Sequence, residues 1–209
     1  MVDKDKEVPA GALAVDRAVS VLESVAAQVP LGVSLATLSE ELQVGKASVF
    51  RIAKALVGRH ALEYDEETET YTLGPLLASL GYRYVNSLDL RQVARPFMEE
   101  LALESGETVH LGQLVGTNVV YVDVVDSPQP IRVFSRVGAT APAYLTSVGK
   151  AILARLDGPG RAAALPAVLE PHTAHTVPTV AALETQLGAV ALRGYAIDDR
   201  ENRDEIRSY

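Results

Sequence analysis

Between Val15 and Val29 apolar residues recur at Val15, Ala18, Val19, Leu22, Val25, Ala26 and Val29. That spacing of three and four is one stripe of a helix. Gln28-Val29-Pro30-Leu31-Gly32 breaks it. Ser34 then stands where it can cap a short second helix whose inward positions are Leu35, Leu38 and Leu42. After Gln43-Val44-Gly45 a third helix is expected from about Lys46, with Val49, Ile52, Ala53 and Leu56 as its apolar face. Two short helices across a Gly-containing break form the helix-turn-helix pattern. The next segment, LEYDEETETYTL, alternates on both sides of a polar tip (Leu62, Tyr64, then Tyr71, Leu73) and predicts a hairpin in the place of a wing.

Gly74-Pro75 punctuates the chain, and a helix follows with Pro in its first turn. Its apolar side, Leu76, Leu77, Leu80, Tyr84 and Val85, has to be buried somewhere. Contact between two copies is the functional reading, and packing on the neighbouring domain is the plain one. A helix is expected over Asp89–Glu104, capped by Ser87 or Asp89, with a restart or kink at Pro96. Strands are predicted at Thr108–Val115, Val119–Val125 and Ile131–Arg136, with hairpin residues Gly116-Thr117-Asn118 between the first two. Helices are predicted near Ser147–Leu156, Arg161–Leu169 and Val180–Arg193, the last stopped by Gly194, and a short strand at Tyr195–Asp198. A meander of strands followed by helices makes an α+β domain.

Composition changes the picture at one helix. The 209 residues carry a net charge of −8, which argues against indiscriminate coating of nucleic acid. Yet between Gln43 and His60 the charged residues are Lys46, Arg51, Lys54 and Arg59, without an acid among them. Lys46, Ser48, Phe50, Arg51 and Lys54 avoid the Val49/Ile52/Leu56 stripe and face outward. Bases and hydroxyls on the first turns of a helix suit the major groove, where Arg and Lys reach guanine edges and phosphates. The plain alternative is a small helical domain with a solvated basic face.

Other chemistry is excluded or weak. Cysteine is absent, so there is no disulfide, thiolate metal site or thiol nucleophile, in keeping with a cytoplasmic protein. No apolar run approaches the roughly 20 residues of a membrane span. Residues 1–12 alternate in charge and read as a disordered tail rather than a secretion signal. His110, His172 and His175 stand in no catalytic motif. His172-x-x-His175 is at most half a metal site in a Pro- and Thr-rich loop, and no glycine pattern forms a nucleotide fingerprint. No enzyme, metal or cofactor is expected.

From Leu13 to Ser208 the chain resembles the IclR family of bacterial regulators. The resemblance is carried by AVDRAVSVLESVA, LATLSEELQVGKASVFRIAKAL and YTLG. It continues in DLRQVARPFMEELALESGETVHLG, VVYVD, RVGATAPAYLTSVGKAILA and RGYAIDDREN. It implies a winged helix-turn-helix reader over 13–74, a helical linker that dimerises over 75–88, and a GAF-like effector-binding domain over 89–209. It also implies homodimers, or homotetramers paired from them, on double-stranded palindromic operators, and a small carboxylic or aromatic metabolite as effector. By motif, Lys46, Ser48, Phe50, Arg51 and Lys54 would read DNA. Tyr144, Leu145, Thr146 and Ser147, with Asp198 or Asp199, would bind effector: Thr146, Ser147 and the backbone N–H groups opening the helix would cradle an anion, and Tyr144, Leu145 and Val109 would form apolar wall. The plain readings are helix capping for Thr146-Ser147 and a solvated turn for the aspartates.

Three departures from the family pattern set expectations. His60 stands where a glycine usually ends the recognition helix, so that end is expected to be strained or differently closed. The acidic wing tip, Asp65–Glu69, is expected to add little affinity for phosphate. The chain stops at Arg207-Ser208-Tyr209, where the family enters further strands that supply part of the pocket, so the sensing domain is expected to be C-terminally shortened with an exposed sheet edge. The rival reading is a dimeric interaction module that has lost ligand sensing, with or without its DNA binding.

Overall fold

The computed structural model describes residues 12–130 and 135–209. The expected tail at 1–12 lies outside the described residues except for Ala12, as does the expected strand at Ile131–Arg136 except for Ser135 and Arg136, which are not in a strand. Contacts divide the chain into two compact units that meet at Tyr84/Val85.

The first unit runs α1 (Leu13–Ala27), β1 (Val33–Ser34), α2 (Leu35–Glu41), α3 (Lys46–Gly58), β2 (Leu62–Asp65) and β3 (Thr70–Leu73). The Ser34 hydroxyl accepts the Thr37 N–H and so opens α2. The hairpin pairs Leu62 with Leu73 and Asp65 with Thr70, and β1 adds on the far side of β3 to give the antiparallel order β1-β3-β2. Val21, Val25, Leu38, Val49, Ala53, Leu62 and Tyr71 form the core. On α1 the structure corrects the expected stripe. Val21 is fully buried, whereas Val15 and Val19 are exposed, and Val29 lies past the end of the helix. The helix carries valines on two adjacent faces, and spacing alone cannot say which one meets α2 and α3.

The end of α3 explains the histidine. His60 takes φ +57 just past the cap residue Arg59. Its N–H donates to Val57 O at 2.9 Å, and the Ala61 N–H reaches back to Leu56 O at 2.9 Å. The helix therefore closes by the ordinary left-handed route, with a side chain where glycine is strain-free. Gly74 lies against this turn, where a Cβ would fall 2.3 Å from His60 O.

The helix α4 (Pro75–Asn86) carries the chain across the division and has no buried residue; Leu80, Tyr82 and Tyr84 are exposed. The second unit runs α5 (Asp89–Ser105), β4 (Val109–Val115), β5 (Asn118–Val125), β6 (Thr140–Pro142), a 3-10 turn (Ala143–Leu145), α6 (Ser147–Leu153), α7 (Gly158–Ala163), α8 (Val180–Arg193), β7 (Asp198–Asp199) and β8 (Arg207–Ser208). The helix α5 continues through Pro96 without a restart. The helix α7 starts and ends earlier than expected because Asp157 accepts the Gly160 N–H and fixes its first turn. The strand expected at Tyr195–Asp198 forms instead at Asp198–Asp199, where it pairs antiparallel with β8.

The main sheet is antiparallel, β4-β5-β6, with a register shift at Leu111/Gly112. Each face of the sheet is marked by one residue. A Cβ on Gly112 would come within 2.8 Å of Val148 Cγ1, so that face receives α6. Leu111 and its partner Asp123 point the other way, and there Arg91 and Arg95 of α5 grip the buried Asp123 carboxylate at 3.2 and 3.1 Å. The core of this unit lies on the α6 side, from Val119, Tyr144, Leu145 and Leu153 to Leu183 and Leu187 of α8.

Candidate functional site

Two sets of residues are candidates, one in each unit. In the first, α3 presents Lys46, Ala47, Phe50, Arg51, Lys54, Ala55 and Gly58 to solvent while Val49 and Ala53 are buried. Positions four apart stack into ridges. One ridge reads Lys46, Phe50, Lys54, and its neighbour reads Ala47, Arg51, Ala55. Ser48 differs from the rest of the expected set. It is half-buried on the flank facing α1, and Arg51 Nη2 donates to its hydroxyl at 3.4 Å. Arg17, Ser48 and Arg51 rim an open cleft of about 600 Å³ whose floor is Leu13, Ile52 and Leu56. Ser48 is thus within hydrogen-bond reach of Arg51 on this flank. Ala47, at the centre of the exposed arc, is a position that a search for charge and hydroxyl groups passes over.

The wing is acidic in fact as in sequence. Asp65 Oδ1 accepts the N–H groups of Glu67 and Thr68, which shape the tip and hold its pKa below the ordinary value. Glu66, Glu67 and Glu69 are exposed around it.

In the second unit the expected effector residues separate into three kinds. Tyr144 and Leu145 are core residues rather than open wall, and the Tyr144 hydroxyl donates to Glu170 O at 2.8 Å. Val109 lies on the α5 face of the sheet, away from them, because it alternates with His110 and Gly112. Thr146 caps α6 by accepting the Gly149 N–H at 3.0 Å. Ser147 is turned elsewhere, with its Oγ 2.9 Å from Ser208 Oγ. The paired aspartates part company. Asp199 is half exposed among Arg200 and Arg207, whereas Asp198 is buried and accepts the Glu201 N–H at 2.8 Å.

Around Ser147 and Asp198 stand further groups, among them Lys150, which ends the SVGK stretch of the expected effector loop 141–150, and Glu201, within RGYAIDDREN. Lys150 is withdrawn from solvent and pairs with the equally buried Glu201, donating also to Ile197 O at 3.2 Å. The second Glu201 oxygen is buried without a hydrogen-bond partner among the described residues. Burial raises the Asp198 carboxyl, against the opposing pull of the Glu201 and Asn202 N–H groups and of Lys150. Tyr121 faces the same side of the sheet as Gly112; burial and then the Asp198 charge raise its phenol, while Arg203 lowers it. His110 packs its ring 4.7 Å from Tyr121 and bonds Ser135, and burial keeps it neutral to lower pH than usual. Together these are hydroxyls (Tyr121, Ser147, Ser208), carboxyls (Asp198, Glu201), an ammonium and an imidazole, a set of polar groups of the kind that recognises a polar small molecule. His172 and His175 sit in a loop pinned by Thr173 and Thr176 to Arg200 O and Glu201 O, and no three metal-ligating side chains gather among the described residues. Nor is any described helix long and apolar enough to cross a membrane.

The IclR helix-turn-helix domain model matches residues 14–66, and the bacterial transcriptional regulator IclR C-terminal model matches residues 82–209. The chain belongs to the IclR family. It is 30% identical over 198 residues to the HTH-type transcriptional regulator XynR of Escherichia coli K12, covering 92% of this chain and 77% of that protein. It is 34% identical over 177 residues to the HTH-type transcriptional regulator Rv1719 of Mycobacterium tuberculosis, covering 85% of this chain and 68% of that one. The crystal structure of an IclR transcriptional regulator from Alicyclobacillus acidocaldarius superposes with a TM-score of 0.76 at 25% identity, over 91% of this chain and 77% of that one. As an IclR-family member the chain is a helix-turn-helix DNA-binding regulator, and α2 with α3 is its helix-turn-helix. Family membership gives no ground for an enzymatic activity.

Proposed function

We propose that this IclR-family regulator reads a palindromic double-stranded operator in the cytoplasm as a dimer or tetramer, through Lys46, Phe50, Arg51 and Lys54 of α3, and answers to a small organic metabolite. The observation that carries the DNA reading is the confinement of positive charge. In a chain of net charge −8, the exposed arc of α3 holds two lysines and an arginine and no acid. An acid-free arc with three cations on one helix is a face whose energy falls as it approaches phosphate, even in a chain that is acidic as a whole. Ser48 supports the reading by steadying Arg51, and the apolar exposed side of α4 supports pairing of two copies, which sets two readers on two half-sites.

For the metabolite, the reading rests on Ser147, Asp198, Tyr121 and Ser208 and on the unpartnered oxygen of Glu201. A carboxylic or aromatic metabolite that also donates a hydrogen bond suits these groups. Tyr144, Leu145 and Thr146 act behind them as core and cap. Asp199 stays outside. A dimeric interaction module is the second reading, favoured by Leu90, Val93, Phe97 and Leu101, which line one exposed side of α5. The deciding experiment is fluorescence anisotropy of the full chain against the DNA upstream of its own gene, at two salt concentrations, beside a random duplex. Selective binding that weakens steeply with salt supports the regulator; a folded dimer that binds both duplexes alike, or neither, overturns it in favour of the module.

A further inference from the structure

We infer that Phe50, with Ala47 beside it, reads thymine methyl groups, so that each half-site carries a thymine within two base pairs of the guanine held by Arg51. The inference rests on the proposed use of α3 as the groove-reading helix and specifies what that helix selects. Phe50 is 46% exposed, at the middle of the Lys46-Phe50-Lys54 ridge. An aromatic ring left in water at that place is a standing cost that contact with an apolar surface would remove. The floor of the major groove offers one such surface, the C5-methyl of thymine, for which Phe and Ala side chains are suited partners. Lysines four residues to either side keep the ring between two points of phosphate attachment and so hold it toward the floor.

The second ridge sets the spacing. Arg51 follows Phe50 directly, about 1.5 Å further along the helix axis and about 100° around it, so the two side chains leave almost the same level of α3 from neighbouring parts of its exposed arc. A guanine read by Arg51 and a methyl read by Phe50 therefore lie on the same or adjacent steps, within about two base pairs once side-chain reach is allowed. Arg51 borders the cleft beside Arg17 and Ser48, which Phe50 does not line, so the two side chains occupy different parts of the arc. Ala47, one turn before Arg51, adds a second small apolar contact on the same arc.

The test is selection of duplexes from a random library by the full chain, followed by anisotropy titrations on the selected site with thymine replaced by uracil, which deletes only the methyl. The expected result is a half-site with thymine close to guanine. Uracil weakens parent binding roughly three- to fivefold, about the worth of one buried methyl. The Phe50→Ala variant loses that difference but still needs the guanine. A selected site that the parent binds equally well with uracil overturns the inference and leaves the regulator reading standing. Equal uracil sensitivity in parent and Phe50→Ala assigns the methyl contact to another residue and overturns it too. Failure to enrich any sequence defeats the regulator reading, and this inference with it.

Discussion

Lys150 and Glu201 form an ion pair in which both side chains are almost wholly withdrawn from solvent, 1% and 6% exposed. The lysine rises from α6 and the glutamate from the loop after β7, so the pair ties the strand bearing Asp198 to the helix bearing Ser147. Such a pair adds little net stability over apolar residues of like volume, but losing one partner strands a buried charge. Lys150→Met is therefore expected to cost about 3–5 kcal/mol, and the double variant Lys150→Met/Glu201→Leu to recover most of it. Urea unfolding followed by circular dichroism measures both. Equal losses in the single and double variants would show that the pair is not what holds the strand.

Asp198 gives a pH dependence with a definite sign. Its folded pKa lies above the ordinary 3.8, so the stability it contributes is present below that value and is lost as pH rises through the folded pKa. Asp198→Asn keeps an oxygen for the Glu201 N–H and never ionises. The stability of Asp198→Asn relative to the parent should therefore increase between about pH 3.5 and about pH 7. Urea midpoints across that range test it; a difference that is flat or falls with pH would mean the charged carboxylate is not penalised.

At the end of α3, His60 holds a left-handed backbone that glycine adopts freely. His60→Gly is expected to stabilise the first unit by roughly 0.5–1 kcal/mol, the relief of strain less the greater chain entropy of glycine. His60→Ala should bring no such gain, since alanine carries the same Cβ. Thermal melts of the two variants separate backbone strain from any effect of the imidazole.

On DNA, Arg51→Ala and Lys54→Ala are expected to differ in kind. Loss of a guanine contact at Arg51 should cost roughly 1–3 kcal/mol on the selected site and relax preference at one base pair. Loss of Lys54 should weaken all duplexes alike and flatten the salt dependence by about one counterion. Titrations at three salt concentrations on the selected site and on a random duplex distinguish them. Parent-like binding by both variants would remove α3 from the interface.

The sequence carried the helix-turn-helix well because each of its signals was local. Ser34 caps α2, Gly45 precedes α3, and the alternation on either side of Asp65–Glu69 makes a hairpin. It misled on α1, where Val15 and Val21 are equally apolar and only the neighbours across the core decide between them. It left out β1 and β6, strands of two and three residues with no pattern of their own. At the candidate effector site, Tyr144 and Leu145, expected as apolar wall, are buried among the core residues of the second unit. Lys150 and Glu201 are 51 residues apart, and nothing in the sequence pairs them. Their meeting depends on how β7 folds back over α6, which no periodicity records. Ser48 carried a half-signal: its residue type suits DNA, but its place on the α1 flank puts it within hydrogen-bond reach of Arg51.

The acidic wing tip and the acid-free arc of α3 have a kinetic meaning. A chain of net charge −8 is repelled by a duplex at long range, and an approach led by the cations of α3 is repelled least. Encounters led by α3 are favoured, so the chain trades rapid capture for an orientation filter. Repelled from non-specific contacts, it would spend little time gliding along DNA and would search mainly by leaving and returning. Occupancy of its operator would then respond promptly when a bound metabolite alters the grip of α3, because few copies wait on neighbouring DNA to rebind.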